Sequence, residues 1–431
     1  MFRKISLLFF LFFPALVNAA EGFVTKIKFD AQHSDNSRLV ADVFVEDEVE
    51  LTPSLEIDYT FNQNRFNANL NYRAEHTEFT QDTFENRTDL LGTGQATVTL
   101  VDRNVFWKVF QNNSRLRINS IEVGTRDNET RRSILQTGPS VVFNLDKESK
   151  LSFDAYFVES GFNNGVSNDS QQNQYSVSYS RQIDTQVQLG LTGRISKVEF
   201  DSSDQDYDNQ RIGLTFDGQG KQLSYSIAIG QNKIDRKTGI SFSGLYINSA
   251  FNINVGDTVL SLSADRELTD SSIGLGLSGN GQDGFFADTL SNLSGNVRNS
   301  DIVEQIRYEL HLRQPVSGRS TLNLSMFYED QDFQSLLSDF NFIGGKLALS
   351  YRSTRRLEFD YQYKWNRNEL QTGVVGTLES SIKRGHRVQS TYSLSDSARI
   401  LFWVEDNSRT YDQMTRDYDE LAIGFRFEYR F

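Results

Sequence analysis

Along much of this chain, apolar and polar residues change places at every step. The segment from Leu421 reads LAIGFRFEYRF. Strand side chains point alternately to two faces. Leu421, Ile423, Phe425, Phe427, Tyr429 and Phe431 therefore share one apolar face, and Ala422, Gly424, Arg426, Glu428 and Arg430 share the other. The same period recurs upstream. Leu357, Phe359, Tyr361, Tyr363 and Trp365 alternate with Glu358, Asp360, Gln362 and Lys364, and Ile306, Tyr308, Leu310 and Leu312 with Arg307, Glu309, His311 and Arg313. Similar runs begin at Leu55, Phe66 and Leu223. No convincing helical period follows residue 20.

A charged face backed by an aromatic one suits either a soluble sandwich or a membrane barrel with lipid outside and a wet lumen. The connections favour the barrel. Short polar links at Asn62–Asn64, Asp102–Asn104, Asp146–Glu148, Gly218–Gly220, Val255–Asp257, Val316–Gly318, Ser353–Arg355 and Ser395–Ser397 alternate with longer ones such as Glu78–Leu91, Asp330–Ser338 and Asn368–Lys383. Short periplasmic turns and longer outer loops are the barrel pattern. The landmarks predict an all-β, transmembrane antiparallel β-barrel over 49–431, with about 18 strands (roughly 16 to 20) and an even count. Residues 20–48 are less regular, because Ser34-Asp35-Asn36-Ser37 interrupts two apolar runs; they read as an N-terminal arm, a plug or the first hairpin.

The start of the chain bears on location. Arg3 and Lys4 precede the apolar run Ile5–Phe13, Pro14 breaks it, and Val17-Asn18-Ala19 supplies small residues for cleavage after Ala19. The run is shorter than the roughly 20 residues a spanning helix needs, so residues 1–19 are expected to be a signal peptide. The absence of Cys excludes disulfides, thiolate metal sites and a lipid-bearing Cys. Mean hydropathy is -0.48, too polar for a helical membrane protein. The net charge of -13, which falls by two more when Arg3 and Lys4 leave, opposes a nucleic-acid partner.

Candidate chemistry is sparse. His33, His76, His311 and His386 show no HExxH spacing and no GxSxG elbow accompanies them, so they are read as lumen and loop residues. No catalytic residue, cofactor or metal site is assigned, and an outer-membrane barrel hydrolase is the least favoured reading. Asp201–Asp208 (DSSDQDYD) lacks the turn glycine and closing glutamate of a calcium loop, and is read as a solvated acidic loop bridged to lipopolysaccharide by divalent cations. Leu268–Ser300, with GLGLSGNGQDG, Phe285 and Phe286, is long enough to suggest a partly ordered constriction or lid. The candidate lumen-facing residues are Arg307, Glu309, His311, Arg313, Glu358, Asp360, Lys364, Arg426, Glu428 and Arg430. Such mixed charges pair across strands or set pore selectivity. No basic ladder runs along them, and the inward faces assigned here carry few aromatics.

Two resemblances complete the picture. A last strand carrying Phe425, Phe427, Tyr429 and Phe431 resembles the assembly signal that the barrel-assembly machinery reads in outer-membrane barrels. Ser34-Asp35-Asn36 before a strand, Pro53 opening PSLEIDYTF, polar strands ending near Asn104, Gly344-Gly345 opening a strand, and Asp417-Tyr418-Asp419-Glu420 before the last strand together resemble the outer-membrane β-barrel proteins of exopolysaccharide loci and PEP-CTERM/exosortase systems in Gram-negative bacteria. That resemblance implies support for export of a polysaccharide or surface protein, with outer-membrane lipid, lipopolysaccharide and polysaccharide-export components as partners, and no catalytic residues. The alternative is a passive diffusion or uptake porin for small solutes.

Overall fold

The alternating runs fold into twenty antiparallel strands in the computed structural model, which describes residues 22–40, 45–117, 125–163, 169–201, 205–270, 302–334, 338–372, 378–412 and 417–431. In chain order they are β1 (Phe23–Ser34), β2 (Glu48–Gln63), β3 (Phe66–Phe79), β4 (Arg87–Val101), β5 (Val105–Arg117), β6 (Glu129–Asn144), β7 (Ser149–Phe162), β8 (Ser170–Gln182), β9 (Val187–Phe200) and β10 (Tyr207–Gln219). The second half holds β11 (Leu223–Arg236), β12 (Ser241–Val255), β13 (Thr258–Asp270), β14 (Ile302–Ser317), β15 (Ser320–Phe333), β16 (Ser338–Arg352), β17 (Leu357–Thr372), β18 (Leu378–Ser393), β19 (Ala398–Tyr411) and β20 (Tyr418–Arg430). Each strand pairs with its sequence neighbours, and β1 also pairs with β20, which closes the sheet. A closed wall satisfies its backbone groups without water, the condition for crossing lipid with strands. Twenty strands about 4.8 Å apart and tilted about 40° make a ring roughly 40 Å across.

The count exceeds the expected 18 because three connections lay outside the sequence landmarks: 35–47, 183–186 and 237–240. The second begins with apolar Ile183 and turns through Asp184, whose carboxylate accepts the N–H groups of Gln186 at 2.6 Å and Val187 at 2.9 Å. Phe23–Ser34, left open in the sequence, is a wall strand. Its seam with β20 is stitched at the outer end. Ser34 Oγ donates to Glu420 at 2.7 Å, Leu421 N–H to Asp35 at 2.8 Å, and Asn36 Nδ2 to the Asp419 carbonyl at 2.8 Å. The motifs at 34–36 and 417–420 thus meet across the closure.

Which face is inside follows from reach. Lys108 of β5 lies 3.6 Å from Asp154 of β7, across β6; only the concave face brings alternate strands together. The convex face carries exposed Tyr308, Met326, Val388, Phe402 and Ile423, the apolar band that meets lipid.

Strands of 12 to 16 residues exceed the roughly 9 to 11 needed to cross a bilayer. The surplus shows as a change of phase. On β16, Ile343, Leu349 and Tyr351 are exposed on the outer face, whereas Phe340 and Phe342, nearer the outer end, are buried with inward parity. On β9, exposed Leu189, Leu191 and Ile195 give way to buried Val198 and Phe200. Above the lipid the outer face becomes polar and apolar side chains turn inward.

Candidate functional site: a narrowed mouth above a charged lumen

The ladder between β4 and β5 stops at Gly92↔Asn113, although both strands continue outward. Gly92 makes the break possible. Its φ of 136° suits glycine, and a Cβ there would collide with the Asn71 carbonyl. Beyond it, residues with outer-face parity bond to inner-face residues. Arg115 on β5 bonds Asp89, at 2.9 Å through Nε, and Glu75. Arg131 on β6 reaches Asp89 at 3.0 Å, and Glu129 reaches Arg87 at 2.7 Å. Such contacts require the outer ends of β5 and β6 to lie inside β3 and β4.

The second departure is between β12 and β13. Their ladder ends at Ile247↔Arg266, leaving Ser241–Tyr246 and Glu267–Asp270 unpaired with one another. The outer end of β13 instead contacts the inner face of earlier strands. Tyr207 Oη on β10 donates to Asp270 at 2.5 Å, Asn232 Nδ2 on β11 donates to the Leu268 carbonyl at 2.6 Å, and Arg211 on β10 pairs with Glu267 at 2.9 Å. Leu268 shares parity with lipid-facing Leu260 and Leu262, yet it is buried with Val198, Phe200, Tyr207, Ile234 and Ile302. Gly244 leaves the room, since a Cβ there would lie 3.1 Å from Leu268 Cδ1. The β13–β14 hairpin therefore leans into the mouth with its convex side against the concave wall. The two leaning hairpins approach each other, and buried Arg132 on β6 feels the charge of Asp270 on β13.

Below the mouth the lumen is lined by paired charges, within a strand or between neighbouring strands. Arg307 pairs with Glu309, Arg426 with Asp30 at 2.5 Å, and buried Glu428 with Arg399 at 2.8 Å. Asp360 accepts from Ser350 Oγ at 2.6 Å, and Glu358 lies 4.0 Å from Arg352. His311 sits between Ser261 and Ser325, Arg313 between Val259 and Asn323, and Lys364 between Lys346 and Gly385. Arg430 ends the inner row of β20 opposite Lys26. On the other face of β20, Phe425 packs on Phe402 with ring centroids 5.1 Å apart, and Phe431 on Tyr429 at 4.8 Å. Phe427 faces Phe29 and Ile400.

Several residues fall elsewhere than the sequence suggested. The inner wall is not poor in aromatics: Phe333, Phe340 and Phe342 form a buried inward cluster with Val303, and Trp403 carries the Arg387 guanidinium 4.9 Å over its ring. Phe333 was hidden within the segment Asp330–Ser338 read as a loop, and Phe340 and Phe342 lie just beyond its edge. His386, expected in lumen or loop, stands on the lipid face, where its Nδ1 lies 2.9 Å from Tyr361 Oη. His76 shares the outer face and contacts Thr88 Oγ1 at 2.8 Å. In the acidic knot, Asp206 accepts the Phe200 N–H at 2.8 Å and pairs with Lys237; residues 202–204 lie outside the described residues. The signal peptide and 271–300, with Phe285 and Phe286, also lie outside them. Among the described residues no group of His, Cys, Asp and Glu could hold a metal ion.

No known family model and no curated protein matches the chain. Solved structures do. The FrpB iron transporter from Neisseria meningitidis is 10% identical, with 96% of this chain and 83% of that one covered and a TM-score of 0.46. OccK2 from Pseudomonas aeruginosa is 9% identical, with 95% and 98% covered and a TM-score of 0.40. A loop-deletion mutant of OmpT, an outer membrane protein of Vibrio cholerae, is 11% identical, with 95% and 100% covered and a TM-score of 0.36.

Proposed function

We propose that this protein resides in an outer membrane and passes a polar solute or polymer through its lumen, in support of exopolysaccharide or surface-protein export. The observation that carries the reading is the pair of hairpins leaning into a mouth above a charge-lined interior. A lumen built of ion pairs accommodates water and polar groups, and a ring of this size leaves room for them. The inward hairpins restrict what enters or leaves, so the work is selection and passage, not bond chemistry. The export role rests on the resemblance carried by the motifs at 34–36 and 417–420.

Deleting the gene is expected to lower secreted polymer or matrix while leaving uptake of small nutrients nearly intact. Normal matrix together with poor growth on one particular solute would favour an uptake porin instead. Recovery of the protein from the soluble periplasm would exclude both.

A further inference from the structure

Charge is spread unevenly around the inner wall. From β17 to β20 every strand carries it inward, as at Asp360, Arg387, Glu405 and Arg426. The arc of β3, β4 and β5 differs. Inward Lys108 on β5 faces Thr97 on β4, which faces Asn67 on β3, and this row fixes the parity of the rest. Below the leaning hairpin the inward positions of the three strands hold amides, hydroxyls and rings. Lys108 is their one charge, and it lies 3.6 Å from Asp154.

The register sets these side chains in rows. Asn69 faces Gln95, which faces Phe110, and Asn71 faces Thr93, which faces Asn112. Phe106 faces Thr99 one row nearer the periplasmic end. Facing side chains have Cβ atoms about 5 Å apart, so the rows merge into one field across three strands.

The field is open to the lumen. Asn67, Asn69, Thr93 and Gln95 are exposed, and among the described residues none of the four commits its side chain to a hydrogen bond or ion pair. Phe106 and Phe110 are half-buried. Rings left partly open to a wet lumen carry a hydrophobic cost that an apolar surface laid on them would relieve. The strand that bears them continues upward into the β5–β6 hairpin that narrows the mouth, so whatever passes beneath that hairpin meets the field.

From this juxtaposition we propose that Asn69, Gln95 and Phe110, with Asn67, Thr93 and Phe106 around them, form a binding field for an uncharged saccharide chain. Side-chain amides and hydroxyls donate and accept, as sugar hydroxyls do. The electron-rich face of each ring attracts the C–H bonds of a pyranose. A charged solute would give up water here without finding an opposite charge, whereas a neutral sugar exchanges its water for amides. The proposal rests on the passage reading, since a saccharide must be able to enter the lumen.

The test uses full-length protein in planar bilayers, with maltohexaose, hexagalacturonate and polyethylene glycol of equal size as separate blockers. Wild type is expected to be blocked by maltohexaose more than by either of the others. Asn69→Ala with Gln95→Ala should weaken that block by about tenfold, the loss of two hydrogen-bonding amides. Phe110→Leu, which keeps the apolar bulk and removes the ring, should weaken it several-fold. Gln389→Ala, which removes an inward amide beside Arg387 on the charged side, should leave it unchanged. Equal losses in Gln389→Ala and the double variant would overturn the field. Equal block by all three compounds would mean simple obstruction, and stronger block by hexagalacturonate would move recognition to the charged wall; either overturns the proposal while passage stands. If no channel opens, calorimetric binding of maltohexaose to detergent-solubilised protein still decides. Binding lost in the double variant would uphold the field and refute passage; absence of binding would overturn both.

Discussion

The hairpin of β5 and β6 and the hairpin of β13 and β14 make the same excursion into the mouth and are held there by different balances of force. The first is latched by ions: buried Asp89 takes Arg115 and Arg131, and Arg87 takes Glu129. The second is latched mainly by apolar burial of Leu268 and Ile302 against Val198, Tyr207 and Ile234, with hydrogen bonds from Asn232 and Tyr207 and a single ion pair between Arg211 and Glu267. An ionic latch weakens as salt screens its exposed members, whereas an apolar one does not. The same displacement can thus be built to answer strongly to ionic conditions on one side of the mouth and weakly on the other.

The largest effect is expected where both latches lose their frame. Phe427→Asp places a charge on the lipid face of β20, at a cost of about 2 kcal/mol, in the strand that closes the wall. Outer-membrane accumulation, followed by heat-modifiable migration on gels, should be lost. Deleting Phe431 should reduce it too, and unchanged surface levels would show that the terminal residue is not an assembly signal.

Cutting one latch at a time comes next. Leu268→Ala should cost the β13–β14 hairpin about 2–5 kcal/mol through the cavity it leaves, seen as faster amide exchange over Glu267–Asp270 at any salt concentration. Asp89→Asn should cost the β5–β6 hairpin about 1–3 kcal/mol, because Arg115 and Arg131 lose a buried acceptor. Exchange over Ser114–Arg117 and Glu129–Arg132 should then rise. In wild type, 1 M salt should raise exchange in this hairpin more than in the other. Equal salt responses would erase the distinction.

The smallest effect concerns Glu48, which belongs to neither latch. Burial alone would raise its pKa, but the backbone N–H groups of Gln81 at 3.0 Å, Thr83 at 3.2 Å and Val49 at 2.8 Å hold it below the ordinary glutamate value. A carboxylate with a depressed folded pKa stabilises above its unfolded value, and that stability is lost as pH falls through the folded value. Amide exchange at Gln81 and Thr83 should therefore quicken only in acid, below about pH 4, and Glu48→Gln should remove the dependence.

The membrane-crossing part of the fold was legible because lipid imposes one rule on every strand. Runs such as Ile306–Arg313 and Leu357–Trp365 state that rule without help from the rest of the chain. The mouth was not legible, for a physical reason. Above the lipid the phase reverses, so Phe340, Phe342, Val198 and Phe200 break the period that identified the strands. The latches are also pairwise facts. Nothing local to Asp89 names Arg131, and nothing local to Tyr207 names Asp270. Lys364 was visible as a lumen residue, but the lysine that faces it lies on another strand, and only the register brings them together. Gly92 and Gly244, where the ladders part, are unremarkable in sequence and decisive in place.

If two inward hairpins narrow a polar lumen, releasing them must widen it, and unitary conductance in planar bilayers reads this out, comparing wild type with the protein carrying both Asp89→Asn and Leu268→Ala. Stepwise channels are expected in both, with a larger unitary conductance when both latches are cut and an intermediate one for each single variant. Equal unitary conductance in all four proteins, or no channels in any of them, would contradict the account.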